Sequence, residues 1–316
     1  MKKISTLLSA MLLAPFLCSA QQEAPVSIDP SGTYMFAQKD SCELFLNVYD
    51  PAENSAAQAD GTARPTILFV FGGGFVSGQK DAPSYQPWFR RLTDDGYRVV
   101  SIDYRLGLKG VEKVGIGNID TIYNAIEMGV EDLFSATRFL CKNAEALGID
   151  PGNIVVCGSS AGAIISLQAE WHICNGDPIT GILPAGFRYS GVISYAGAVF
   201  SRKGKPSYAK APSPTIFFHG TADKIVRYNR IWFFKNRFGG ANYLVKIFSR
   251  NGYNYNVYRY KDAGHEIAAA FLPTYDDLTL FLEENVAKGQ KRIVDTLVHD
   301  PIMPESSMKT LGDLYN

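Results

Sequence analysis

Ser160 sits at the centre of Gly158-Ser159-Ser160-Ala161-Gly162, after the apolar run 154–157 and before a helix-like stretch at 163–170. A serine oxygen attacks a carbonyl carbon only when it stands clear of neighbouring side chains. A sharp strand-to-helix turn achieves this by forcing strained backbone angles on the serine. Glycines at 158 and 162 let strand and helix approach closely enough to make that turn. The pentapeptide alone recurs by chance in about one chain of this length in ten at ordinary glycine and serine usage. Its weight comes from its place between a strand and a helix, and from the partners that follow it.

A nucleophilic hydroxyl needs a base to take its proton, and imidazole titrates near neutrality. The chain has four histidines. His172 falls on the helix after Ser160 and is expected to point away from it. His219 ends a strand in Phe-Phe-His-Gly and is expected to hold the next loop by hydrogen bonds, while His299 lies near the C-terminus. His265 follows Asp262-Ala263-Gly264 just past a strand ending at Tyr260, on a loop leaving the carboxyl edge of the sheet where Ser160 also emerges. It is the expected base, with His299 as the alternative.

The imidazole must be kept in one tautomer and its developing charge stabilised, which calls for a carboxylate on its other nitrogen. Asp223, in His219-Gly220-Thr221-Ala222-Asp223, meets that need from a loop past another apolar strand and gives the chain order Ser, Asp, His. Two other readings stand beside it: Asp223 as a helix N-cap for a segment near Val226, and Asp262 as a reserve acid. The oxyanion formed on attack needs N–H donors. One comes with the turn itself, at Ala161. The other is expected from Gly73 or Gly74 in Gly72-Gly73-Gly74-Phe75, where glycine lets the backbone approach a substrate. No Lys-Ser/Thr pair closes that loop as a phosphate cradle would require.

Short, continuously apolar runs at 43–49, 66–71, 98–103, 154–157, 191–196, 215–219 and 256–260 alternate with helical patterns at 88–95, 130–146, 163–173, 228–238 and 272–286. This predicts an α/β fold with a mostly parallel, doubly wound sheet and helices on both faces. Residues 34–38 are expected to add an antiparallel edge strand. Residues 50–64 read as a polar, mobile loop, 106–126 as a small lid and 287–316 as an extension packed on the surface. No internal repeat is found. Phe75, Tyr85, Trp88, Tyr195 and Phe200 fall near the loops of the carboxyl edge and are candidates to line a pocket, although such aromatics are more often core.

The chain has 316 residues, 46% of them apolar, and a formal net charge of zero. That supports one large core over residues 21–286 and implies no nucleic-acid partner. Lys2 and Lys3, an apolar run at 4–17 and Cys18-Ser19-Ala20 match the parts of a secretory signal peptide cleaved after Ala20. The run is too short to span a bilayer, and bulky Phe16 and Leu17 disfavour lipid attachment at Cys18. The expectation is an exported protein, periplasmic or extracellular, without stable membrane insertion. Cys42, Cys141, Cys157 and Cys174 then remain. Cys157 reads as a buried free thiol, and Cys141 and Cys174 as a pair able to meet. No CxxC or HExxH pattern suggests zinc, and no cofactor or metal is expected.

Phe71-Gly72-Gly73-Gly74-Phe75, the Ser160 pentapeptide, His219 to Asp223 and Ala263-Gly264-His265, in that order, resemble the serine esterases of the α/β-hydrolase fold, in their carboxylesterase and hormone-sensitive-lipase-like branch. The resemblance covers residues 42–286, and Asp103-Tyr104-Arg105-Leu106 is similar to a further segment of these esterases. It implies an ester substrate and a covalent acyl-enzyme; the expected export suggests small or polysaccharide-linked esters. Where such esterases often have a histidine before the glycines, this chain has Phe71. Two other functions fit the same residues: a serine peptidase of this fold, and a catalytically inactive binding protein.

Overall fold

The computed structural model describes residues 27–53, 55, 64–111 and 119–305. The signal-peptide reading, most of the polar loop at 50–64 and the middle of the lid reading lie outside them. The chain opens with strands β1 (Gly32–Lys39), β2 (Cys42–Tyr49) and β3 (Thr66–Val70), then helix α1 (Gln86–Asp94) and strand β4 (Arg98–Ile102). Helices α2 (Ile119–Lys142) and α3 (Ala144–Leu147) lead to β5 (Ile154–Ser159), α4 (Ala161–Asn175), β6 (Gly191–Tyr195) and β7 (Ala198–Ser201). There follow β8 (Thr215–Gly220), β9 (Arg230–Phe233), β10 (Asn236–Gly240), α5 (Ala241–Asn251), β11 (Tyr255–Tyr260), α6 (Tyr275–Phe281) and β12 (Val294–Val298).

Nine strands make one sheet in the order β1-β2-β4-β3-β5-β6-β8-β11-β12. β1 and β2 form an antiparallel hairpin and β2 meets β4 antiparallel. From β4 to β12 every pairing is parallel. β3, β5, β6 and β8 are buried at every residue, as the uninterrupted apolar runs required, so helices cover both faces. Helix α4, which begins one residue after Ser160, is itself buried nearly all round and packs against β3, β5 and β6.

Three expectations need correction. Residues 228–238 are not a helix: β9 and β10 form an antiparallel hairpin turned at Phe234, whose φ is +49°, and join β7 in a separate three-stranded sheet. Ile231, Trp232 and Phe233 are β-branched and aromatic, and over so short a run strand propensity and sheet pairing override the helical spacing. The helix comes instead at α5. Residues 119–126 form the first turns of α2 rather than part of a lid. The stretch after 286, read as a surface extension, supplies β12, the ninth strand of the main sheet.

Asn285 explains that last contact. Buried to 1% exposure, its amide nitrogen donates to the carbonyl oxygens of Arg292 at 2.6 Å and Gln290 at 3.5 Å, drawing the returning chain onto β11. The Arg259 guanidinium then grips both carboxylate oxygens of Asp295, at 2.7 and 2.8 Å, across the two strands. The four cysteines are all unpaired: Cys157 is buried as expected, but Cys141 and Cys174 do not bond, and the Cys174 thiol donates to Glu170 at 3.4 Å instead.

Ending the chain at Gly289 removes the β11–β12 ladder and two of the acceptors of Asn285, the Gln290 and Arg292 carbonyls, leaving Asn254 Oδ1. Each lost hydrogen bond is worth about 0.5–1.5 kcal/mol net, so urea unfolding of the shortened chain is expected to show a loss of about 2 kcal/mol or more. Unchanged stability would mean that β12 is only an appendage.

Candidate active site

Ser160 stands between β5 and α4 with φ +49° and ψ −113°, the strained geometry a non-glycine residue adopts only when its surroundings enforce it. The enforcement is backbone contact. A Cβ added at Gly162 would lie 2.0 Å from the Val70 carbonyl oxygen, and one at Gly158 would lie 2.2 Å from the Gly162 carbonyl. The Ser160 amide donates to the Tyr195 carbonyl at 2.9 Å, which fixes the turn to β6.

His265 begins a short 3-10 turn, His265–Ala269, after β11. Two links hold it in position. The Ser159 hydroxyl donates to the Ala268 carbonyl at 2.8 Å, tying the histidine's turn to the strand that carries the serine. The Ala222 amide donates to the Ala263 carbonyl at 2.9 Å, tying the loop that carries Asp223 to the one that carries His265. At Gly220 these loops pass so closely that an added Cβ would meet the Gly264 carbonyl oxygen at 2.2 Å.

The three side chains form one hydrogen-bonded chain. Ser160 Oγ lies 2.8 Å from His265 Nε2, and His265 Nδ1 lies 2.8 Å from Asp223 Oδ2. A carboxylate can only accept, so Nδ1 donates to Asp223 and Nε2 is left to accept the serine proton. Ser160, His265 and Asp223 are all nearly buried, at 7%, 7% and 3% exposure. Asp223 also takes the Ile225 and Val226 amides on Oδ1, at 2.9 and 3.0 Å; among the described residues no helix starts near Val226, so these bonds close a turn rather than cap a helix, and Oδ2 is the oxygen that meets His265. Burial opposes its charge, but hydrogen bonds from His219 and His265 outweigh burial and hold the carboxyl well below the usual carboxylate range.

The other histidines separate as expected. His219 Nε2 donates to the Val226 carbonyl at 2.8 Å and stands 3.4 Å from Asp223 Oδ2, bracing the acid loop. His172 lies between Glu127 and Asp177, at 3.0 and 2.8 Å, and its bonds go to these residues. His299 and Asp262 are exposed, neither with a hydrogen bond from its side chain to the Ser160 chain. Among the candidate pocket aromatics, Trp88 and Tyr195 are core residues at 1% and 0% exposure, Phe75 and Phe200 are also buried, and Tyr85 is half-buried.

The glycine loop lies against the serine: a Cβ at Gly72 would stand 3.4 Å from that of Ser160. Gly73, Gly74 and Phe75 all have positive φ, at +126°, +63° and +65°. Among the described residues, the Gly73, Gly74 and Ala161 amides have no backbone acceptor, whereas the Gly72 amide donates to the Tyr85 hydroxyl at 3.2 Å. Two tyrosines hold this loop. Tyr85 accepts from Gly72, and Tyr104 donates to the Phe71 carbonyl at 3.2 Å while its ring stacks on Phe71 at 4.4 Å. The sequence singled out Tyr85 only as a candidate pocket aromatic and Tyr104 only through its place in Asp103-Tyr104-Arg105-Leu106. Arg105, next along, donates its backbone amide and its guanidinium to buried Asp132, at 2.8 and 3.0 Å, and so anchors that segment.

A carboxyl whose folded pKa lies below its ordinary value stabilises the fold above that value and loses the contribution as pH falls. For Asp223 the loss begins near the ordinary value of 3.8 and deepens below it. Urea midpoints measured from about pH 5 to about pH 3 are expected to fall more steeply for the native chain than for Asp223→Asn. Equal slopes would mean that the carboxylate is not held in its charged form.

Comparison with known proteins agrees with this architecture. A family model named BD-FAE matches residues 46–171, and one described as alpha/beta hydrolase fold matches residues 123–221. Esterase E4 of Myzus persicae is 35% identical over 136 residues, which is 42% of this chain and 22% of the relative. Phenmedipham hydrolase of Pseudarthrobacter oxydans is 31% identical over 146 residues, 44% of this chain and 26% of the relative. The matched segment thus spans about a quarter of these curated relatives. The propionate-bound structure of Thermogutta terrifontis esterase 2 superposes with a TM-score of 0.56 at 21% identity, over 79% of this chain and 93% of the other. With the parallel sheet, the serine turn and the residue order in agreement, the chain adopts the α/β-hydrolase fold.

Proposed function

We propose that the protein is a serine hydrolase of carboxylic esters, with Ser160 as nucleophile, His265 as general base and acid, and Asp223 as the group that orients and stabilises the imidazolium. The observation that carries this reading is the unbroken hydrogen-bonded chain from Ser160 Oγ through His265 to Asp223, at 2.8 Å on each side, with the serine on a strained turn. In the first half-reaction Oγ bonds to the acyl carbon as its proton passes to Nε2, and the carbonyl oxygen becomes an oxyanion. The Ala161 amide and an amide of Gly73 or Gly74 are the donors for that charge, each worth about 3–4 kcal/mol in comparable enzymes. Collapse breaks the ester C–O bond, and the Nε2 proton goes to the departing alcohol. Water, deprotonated by the same nitrogen, then releases the acid and restores Ser160.

The protein is further proposed to act after export, from its N-terminal charged and apolar run, on small or polysaccharide-linked esters. The matches to esterases from other organisms support an ester over a peptide substrate.

A fluorophosphonate probe is expected to label the native protein and leave Ser160→Ala unlabelled. Short nitrophenyl esters are expected to be hydrolysed faster than matching aminoacyl amides, with Ser160→Ala losing about a millionfold in kcat and Asp223→Asn about ten-thousandfold, as in well-studied serine hydrolases. Faster amide turnover would make the protein a peptidase, and absence of serine-dependent label would make it a binding protein.

A further inference from the structure

Away from the serine, the chain with no net charge collects positive charge on one surface. A cleft of about 360 Å³ is lined by Lys205, Arg230, Lys246 and Arg250, with Tyr243 beside them and no acidic residue in its wall. Tyr243, Lys246 and Arg250 lie on α5 at spacings of three and four residues, which brings them onto one helix face. Lys205 comes from the loop after β7, which the hydrogen bond from the Gly204 amide to the Lys235 carbonyl fastens to the β9–β10 hairpin. Arg230, at the start of β9, lies over the Tyr243 ring at 5.2 Å. Among the described residues none of the four cations forms an ion pair, although nine other arginine or lysine residues of the described chain each lie within 4.0 Å of a carboxylate. Four like charges left unpaired around one hollow repel one another, and an anionic ligand removes that repulsion.

A second hollow shares part of its wall. Arg230 and Asn229 also line a neighbouring hollow of about 500 Å³ that runs past Arg227 and Trp232 to Thr221 and Asp223, the acid of the proposed triad. Trp232 is 65% exposed, and Arg237 lies 5.4 Å from the centre of its ring, over one face. A half-covered, solvent-facing indole beside a row of cations matches a pyranose ring that carries a carboxylate: the sugar's C–H face packs on the ring and the carboxylate meets guanidinium or ammonium. The hollows, about 360 and 500 Å³, give concave room for sugar rings that a flat bilayer would leave unfilled.

We propose that the two clefts together form a binding site for an acidic polysaccharide, a chain of uronate residues, running from Lys246 and Arg250 toward the loop of Asp223. The binding stands without catalysis, whereas its use, presenting the polymer's esters to Ser160, rests on the esterase reading.

The test uses the full-length Ser160→Ala protein, in which no turnover disturbs binding, with polygalacturonate, a neutral galactan, and vesicles of phosphatidylcholine with phosphatidylglycerol. Retention by polygalacturonate alone is expected, weakened about tenfold or more when Lys246→Glu and Arg250→Glu are combined, and weakened by added salt. Lys205→Glu, on a separate loop, is expected to act in the same direction and guards against a folding defect in the helix variant. Equal retention by galactan, indifference to all three substitutions, or sedimentation with the vesicles in place of polygalacturonate binding would each overturn the proposal. Nitrophenyl acetate hydrolysis by the native chain is read separately: a protein that holds polygalacturonate but does not cleave that ester supports the cleft and overturns the esterase reading.

Discussion

The close passage of backbone against backbone at Gly162 and Gly158 is the constraint from which the rest of the site follows. Holding a serine at φ +49° costs about 1–3 kcal/mol, and the structure bears it because α4 begins there, buried on nearly every side and clamped between β3, β5 and β6. With the turn fixed, the serine oxygen points out of the carboxyl edge of the sheet. The Ser159 hydroxyl beside it is then free to hold the Ala268 carbonyl, so the strand that presents Ser160 also anchors the turn that presents His265.

Charge placement follows from the same tight packing. Asp223 is almost wholly buried, and a buried carboxylate is tolerable only when its lone pairs are filled. Oδ1 takes two backbone amides and Oδ2 takes His265, with His219 close by. Those bonds keep the acid charged, and a charged acid leaves His265 only one tautomer. The orientation of the hydrogen bond between Ser160 and His265 is therefore set several residues away, by loop amides near Val226 and by a histidine that does not bond the serine.

The glycine loop beside Ser160 is steadied by residues outside it. Phe71 stands where a histidine commonly steadies this loop in the family that the sequence resembles. Here the steadying comes from outside: Tyr104 stacks on Phe71 and donates to its carbonyl, and Tyr85 occupies the Gly72 amide. Among the described residues the Gly73 and Gly74 amides have no backbone acceptor. Arg105 and Asp132 extend the support back to α2.

Local features carried much of this in the residues alone. The Ser160 turn, the alternation of buried strands and helices, the edge hairpin, the bracing role of His219 and the order Ser160, Asp223, His265 all rest on short spacings and on strand ends, which short-range sterics and burial dictate. What stayed hidden depends on partners distant along the chain. Residues 230–240 became a hairpin because β7 was there to pair with; residues 294–298 joined the sheet because Asn285 and Arg259 offered bonds that no local pattern announces. Tyr85 and Tyr104 acquired their roles only when their loops met the glycines, and Cys141 and Cys174, on neighbouring elements, did not bond. Pairing between distant segments is decided by which faces the packed core leaves adjacent, and that is a property of the whole fold rather than of any stretch of it.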